Sequence, residues 1–203
     1  MTSRIALPAL VVASMFFLNG CEPVASFFPL YKSEDKVFET GLLGTWKLAE
    51  PDPNNADEKN ERWVFEKSGD AISYDFKLGA AGESGGMLAK VRLVRLGSNL
   101  FADFEGDTEN KALESKCGMM PYPVIPVHMM GRVWLEKDSL RIHFLKDDWV
   151  KDRVKAGSFP LSHLEESGDF VLTAKRDELR KFMQEHADDE AALSENHKLV
   201  REK

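Results

Sequence analysis

The sequence predicts a mainly β fold: an antiparallel eight-stranded meander closed into a barrel, followed by a C-terminal amphipathic helix. Three observations carry this expectation. From residue 42 onward, apolar and polar residues alternate with a period of two, the mark of half-buried strands. Turn signals divide that stretch into hairpins whose registers set apolar side chains opposite apolar ones. One hairpin, over 126–145, is partly apolar on both faces, which suits a barrel wall lined inside and covered outside by a helix or loop.

The alternation places strands near 42–49, 61–67, 71–77, 87–96, 99–105, 126–136, 139–145 and 169–174. In RWVFEKSGDAISYDF a four-residue loop sets Trp63 against Tyr74, Phe65 against Ile72 and Arg62 against Asp75. In VRLVRLGSNLFADFE a two-residue turn at Gly97-Ser98, with glycine supplying a positive φ, pairs Val94 with Phe101, Leu93 with Ala102 and Arg92 with Asp103. In VHMMGRVWLEKDSLRIHF a turn over 136–139 pairs Leu135 with Leu140, Val133 with Ile142 and Gly131 with Phe144. That register leaves His128, Met130, Arg132, Trp134, Arg141 and His143 on the opposite face.

Non-strand elements follow. Asp147 in KDDWVKDRVKAG is placed as the N-cap of a short helix. Leu179, Phe182, Met183 and His186 recur at helical spacing between charges, predicting an amphipathic helix packed on the sheet. Asp188-Asp189 interrupts it before a second, more polar helix.

The N-terminus has a separate character. Arg4 precedes an uncharged apolar run from Ile5 to Leu18, and the small residue Gly20 stands before Cys21, the layout of a secretory leader. The run is shorter than the roughly 18 to 20 residues of a membrane-spanning helix. Leu18-Asn19-Gly20-Cys21 resembles a bacterial lipobox, which implies that the Cys21 thiol is acylated and becomes the first mature residue. Glu22 to Pro29, with two prolines and no periodicity, then reads as a tether. The resulting division is a leader over 1–20, a lipid-anchored tether over 21–35, a barrel over 36–175 and a helical C-terminal segment over 176–203. With Cys21 lipidated, Cys117 has no disulfide partner within the chain.

The first barrel strand, GLLGTWKLAE, carries Gly44-x-Trp46, which resembles the lipocalin signature. With the leader, the PLYKSEDKVFETGLLGTW stretch and the late VLTAKRDELRKF, the chain is also similar to bacterial lipoproteins built as a tether, a meander and a closing helix. The resemblance implies that Trp46 closes one end of the barrel and that Arg176 or Lys175 lays a cation over its ring. The Thr-Asp-Tyr motif common in lipocalins is replaced by Leu135-Glu136-Lys137-Asp138-Ser139-Leu140, and the stretch from Gly106 to Pro126 is an unusual insertion.

Function classes narrow accordingly. A formal charge of −7, one unit more negative once Arg4 leaves with the leader, and no visible basic patch argue against nucleic acid. CGMMPYPVIPVHMMG gathers Cys117, Met119, Met120, His128, Met129 and Met130, soft donors of the kind Cu(I) takes. The register leaves only His128 and Met130 on one side of a strand, and three prolines stiffen the stretch, so no metal site is expected. The histidines lack zinc-ligand spacing, GAAGESGG lacks the end of a phosphate loop, and no nucleophile motif is present, so neither a cofactor nor enzymatic activity is expected.

The expected function is a membrane-anchored extracytoplasmic barrel that binds a small hydrophobic molecule or lipid. Its candidate lining is Trp63, Phe65, Ile72, Tyr74, Val133, Leu135, Ile142 and Phe144. The alternative is an envelope structural or interaction module that meets an unspecified protein partner through its C-terminal helix.

Overall fold

The structure, a computed structural model, describes residues 23–80, 86–106, 126–166, 169–193 and 198–203. The stretch read as a leader, Cys21, Cys117, Met119 and Met120 lie outside the described residues, as does most of the glycine-rich stretch after Gly79. Among the described residues the strands are β1 (Ala25–Ser26), β2 (Lys36–Val37), β3 (Gly44–Leu48), β4 (Glu61–Lys67), β5 (Tyr74–Ala80), β6 (Met87–Leu96), β7 (Asn99–Gly106), β8 (His128–Leu135), β9 (Ser139–Phe144), β10 (His163–Glu166), β11 (Asp169–Leu172) and β12 (Lys198–Arg201). The helices are α1 (Ala56–Asn60), α2 (Asp147–Lys155) and α3 (Arg176–Glu185), with a 3-10 turn at Thr40–Leu42. No helix among them is long and apolar enough to cross a membrane.

Strands β3 to β9 form an antiparallel meander, and β12 fits between β9 and β3 to close an eight-stranded barrel. The sixth to ninth strands obey the expected registers: Val94 faces Phe101, Arg92 faces Asp103, Val133 faces Ile142 and Gly131 faces Phe144. Gly97 takes φ +60° at the tight turn, as a two-residue connection requires.

The β4–β5 hairpin departs from expectation by four residues. Trp63 faces Leu78, Phe65 faces Phe76 and Lys67 faces Tyr74. The loop is longer because the Asp70 carboxylate organises it, accepting from Ile72 N, Ser73 N and the Ser73 hydroxyl, while Ser68 N donates to Ser73 O. Arg62 therefore pairs with Glu202 at 2.8 Å instead of with Asp75.

The eighth barrel strand is also not the expected one. Residues 169–172 lie outside the ring, where β11 pairs in parallel with β1 and antiparallel with β10. Among the described residues of 176–203 the helix runs only through Glu185, and the segment's end is β12, which supplies the ring closure. Helix α2 starts at Asp147 as its first residue, with Lys146 in the N-cap place and no side-chain cap.

Two apolar clusters follow from the alternation. Inside the ring lie Trp46, Phe65, Phe76, Val91, Leu93, Phe104, Ile142 and Leu199 among others. Outside it, Val94, Leu96, Phe101 and Met130 meet Leu179, Phe182 and Met183 of α3. Burying each of those large helix side chains is worth about 1.5–3 kcal/mol, so α3 is held firmly against the wall.

The segment read as a tether is part of the fold. Val24 and Leu30 are buried in the outer cluster, Ala25 pairs with both Met129 and Val171, and Pro23 bridges Lys146. Arg180 pairs with Asp35 at 2.6 Å and Lys32 with Asp177 at 2.7 Å, fastening the segment to α3.

Candidate functional site

Inward-pointing positions of every ring strand determine what the barrel can hold. Trp63, Phe65, Tyr74, Val133, Ile142 and Phe144 are buried in the interior cluster, and Leu135 is partly buried against it. Ile72 is 42% exposed in the β4–β5 loop, a correction that follows from the shifted register; Phe76 takes its place opposite Phe65. The aromatic rings form a continuous file: Tyr74 to Phe65 at 6.4 Å, Phe65 to Phe76 at 4.9 Å, Phe76 to Phe104 at 5.2 Å and Phe104 to Phe144 at 5.4 Å. Trp63 joins the file at Phe76, 5.4 Å away. Offset and edge-to-face contacts at these separations are what packed aromatic cores show.

One end of the barrel is sealed around Trp46. Its indole N–H donates to Leu42 O at 2.9 Å, so the 3-10 turn before β3 folds over the ring. The cation above the ring comes from Arg201 of β12, with Cζ 4.2 Å from the ring centroid. The Arg201 guanidinium also donates to Leu43 O at 2.7 Å, Lys137 O at 3.2 Å and Gly41 O. Arg176, expected in this role, instead donates to Pro29 O at 3.2 Å, and Lys175 is exposed at the start of α3. The chain reaches the barrel end 25 residues later than the lipocalin resemblance implied, because β11 is not the last barrel strand.

Beside this seal, Phe38 stacks on Tyr74 at 4.8 Å. The Tyr74 hydroxyl accepts from Glu39 N at 2.7 Å and donates to Glu39 O at 3.1 Å. Burial pushes the Tyr74 hydroxyl up to about 12, with the Glu39 backbone bond working against that shift.

The outer face carries a polar pair that sequence reasoning missed. The Asp103 carboxylate is fully buried, accepting from Leu30 N at 2.6 Å and lying 2.7 Å from His128 Nδ1. Neighbouring Ser26 is also buried, which gives the site a serine, a histidine and an aspartate on adjacent strands. The Ser26 hydroxyl, however, donates to Phe28 O at 3.0 Å and accepts from Phe28 N at 3.1 Å, closing its own turn. The trio acts as a buried fastening for residues 26–30. The sequence signal was the isolated Asp103 at an outward position between Phe101 and Glu105, but its partner Leu30 lies too far away in sequence to be paired by pattern.

His128 and Met130 share the outer face, yet the first is engaged by Asp103 and the second is packed among apolar side chains. Among the described residues, no group of three or more His, Cys, Asp or Glu is placed to hold a metal ion. Elsewhere on the wall, Arg132 and Arg141 lie 4.5 Å and 4.9 Å from the Trp134 ring beside His143. With Asp188, Asp189 and Glu190, Trp134, Arg141 and His143 border a surface groove of about 220 Å³.

No protein-family profile, curated protein or solved structure matches the chain.

Proposed function

We propose that this protein is a lipid-anchored, extracytoplasmic barrel of lipocalin-like type that serves the cell envelope as a non-enzymatic interaction module, with its interior filled by its own side chains. The observation that carries this reading is the aromatic file through the barrel. Phe65, Tyr74, Phe76 and Phe104 are at most 1% exposed. An eight-stranded barrel is just wide enough for side chains to fill, and these rings occupy the space a carried molecule would take. The lipocalin-like assignment is supported by the antiparallel eight-strand ring, the 3-10 turn before Gly44-x-Trp46 and the Arg201 cation on Trp46. Anchoring is supported by the lipobox-like Leu18-Asn19-Gly20-Cys21 after an apolar run.

This reading replaces the free C-terminal helix by the barrel's outer surface as the means of interaction, since the apolar face of α3 is already used. Native mass spectrometry of the leaderless Cys21→Ser chain tests it. The expected spectrum is the bare polypeptide, and added fatty acid or phospholipid leaves its melting temperature unchanged. A co-purifying organic ligand would return the protein to the carrier class. For the anchor, Cys21→Ser made with its leader is expected to leave the membrane fraction; retention there would defeat that part.

A further inference from the structure

We propose that the small outer sheet β10–β11–β1 rests against the leaflet to which Cys21 is anchored, with Leu164 and Phe28 as its apolar contacts. The proposal rests on the lipid-anchor reading and adds which surface faces the lipid. Leu164 and Phe28 are 59% and 43% exposed, two of the most exposed large apolar side chains among the described residues. They are held in place by the fold. Leu164 faces Val171, which faces Ala25, so the three stand in one cross-strand row. Phe28 is presented by the turn that the Ser26 hydroxyl closes.

The length of chain between this sheet and the anchor identifies the occupant. Pro23 is already fixed by its bridge to Lys146, and Val24 N donates to Leu145 O at 3.4 Å. Only Glu22 separates Pro23 from Cys21, and a chain of two residues reaches at most about 7 Å when fully extended. Leu164 stands two strand spacings, about 10 Å, from Ala25. A lipid anchor on so short a leash keeps the apolar row at the bilayer surface at high effective concentration, which makes a modest patch sufficient for docking. Exposed Glu165 and Glu166 follow Leu164, so the surface fits a mainly zwitterionic leaflet better than a strongly anionic one.

The test uses the full chain made with its leader, in a Cys117→Ser background, with an environment-sensitive fluorophore on Leu164→Cys or on Ile72→Cys. Ile72 is an exposed control at the barrel end sealed by Trp46, away from β1. The acylated protein is reconstituted into phosphatidylethanolamine-rich vesicles with brominated acyl chains. Loss of emission at 164 with none at 72 is the expected result, and it weakens as the fraction of phosphatidylglycerol is raised. Equal emission at both positions, in protein that floats with the vesicles and carries the acyl mass, overturns the docking while leaving the anchor intact. Absence of the acyl mass with no flotation overturns the anchor reading and the docking with it.

Discussion

The guanidinium of Arg201 lies 4.2 Å over the indole of Trp46, joining the closing strand of the barrel to the first one. The contact combines a cation over an aromatic face with bonds to three carbonyl groups at the ends of neighbouring segments. Arg201→Ala is expected to lower stability by about 2–3 kcal/mol, since the part-buried bond to Leu43 and the ring contact contribute on the order of 1 kcal/mol each and the two exposed bonds together less than that. Arg201→Lys keeps the charge but not the planar fork, and is expected to recover less than half of the loss. Urea denaturation of both variants checks this; a change below about 0.5 kcal/mol for the alanine variant would remove Arg201 from the seal.

The buried Asp103 carboxylate fastens the N-terminal segment. Asp103→Ala leaves Leu30 N and the His128 ring without their buried acceptor, and a loss of about 3 kcal/mol is expected. Amide hydrogen exchange should show residues 24–35 opening before the ring strands do. Equal protection in wild type and variant would mean that the segment is held by its apolar contacts alone.

Close packing inside the wall appears at Gly131. A Cβ built there would stand 2.7 Å from Ile142 Cγ2 and 3.3 Å from the Phe144 ring. Gly131→Ala is expected to cost about 1–3 kcal/mol through forced displacement of those side chains. Gly69→Ala, with nothing within 4 Å of its added Cβ, is expected to stay within about 0.5 kcal/mol of wild type in the same denaturation assay.

Alkaline pH should weaken the fold through Tyr74. Its hydroxyl is pushed from 10.0 to about 12, so the native state holds that proton more tightly than the unfolded chain. The associated stability is complete below pH 10 and is lost as pH rises toward about 12. Tyr31, also raised chiefly by burial, acts in the same direction. Tyr74→Phe is expected to lower stability at neutral pH but to flatten its decline across that alkaline range. An unchanged slope by denaturant titration would show that Tyr74 ionises equally in both states.

What was legible in the sequence was local. The β6–β7 and β8–β9 hairpins have short turns, so alternation alone set Val94 against Phe101 and Val133 against Ile142. The β4–β5 register was not legible, because Asp70 organises a loop that adds residues without changing the alternation. A shift by four keeps Trp63 and Phe65 on the same face, so the lining survived while Ile72 moved out and Phe76 moved in. Strand β12 was hidden by its charged neighbours and by partners remote in sequence; only Leu199 and Arg201, two apart, marked its inward face. The two residues of β1 are too few for any periodicity to show.

Ring closure by β12 also sets an order of pairing. Strands β3 to β9 can pair with their sequence neighbours as soon as they are free to fold, but β3 and β9 keep open edges until Lys198–Arg201 joins them. A barrel caught before that step is an open sheet with two strands free to pair with other chains, and its protection depends on the last residues of the chain finding their place quickly.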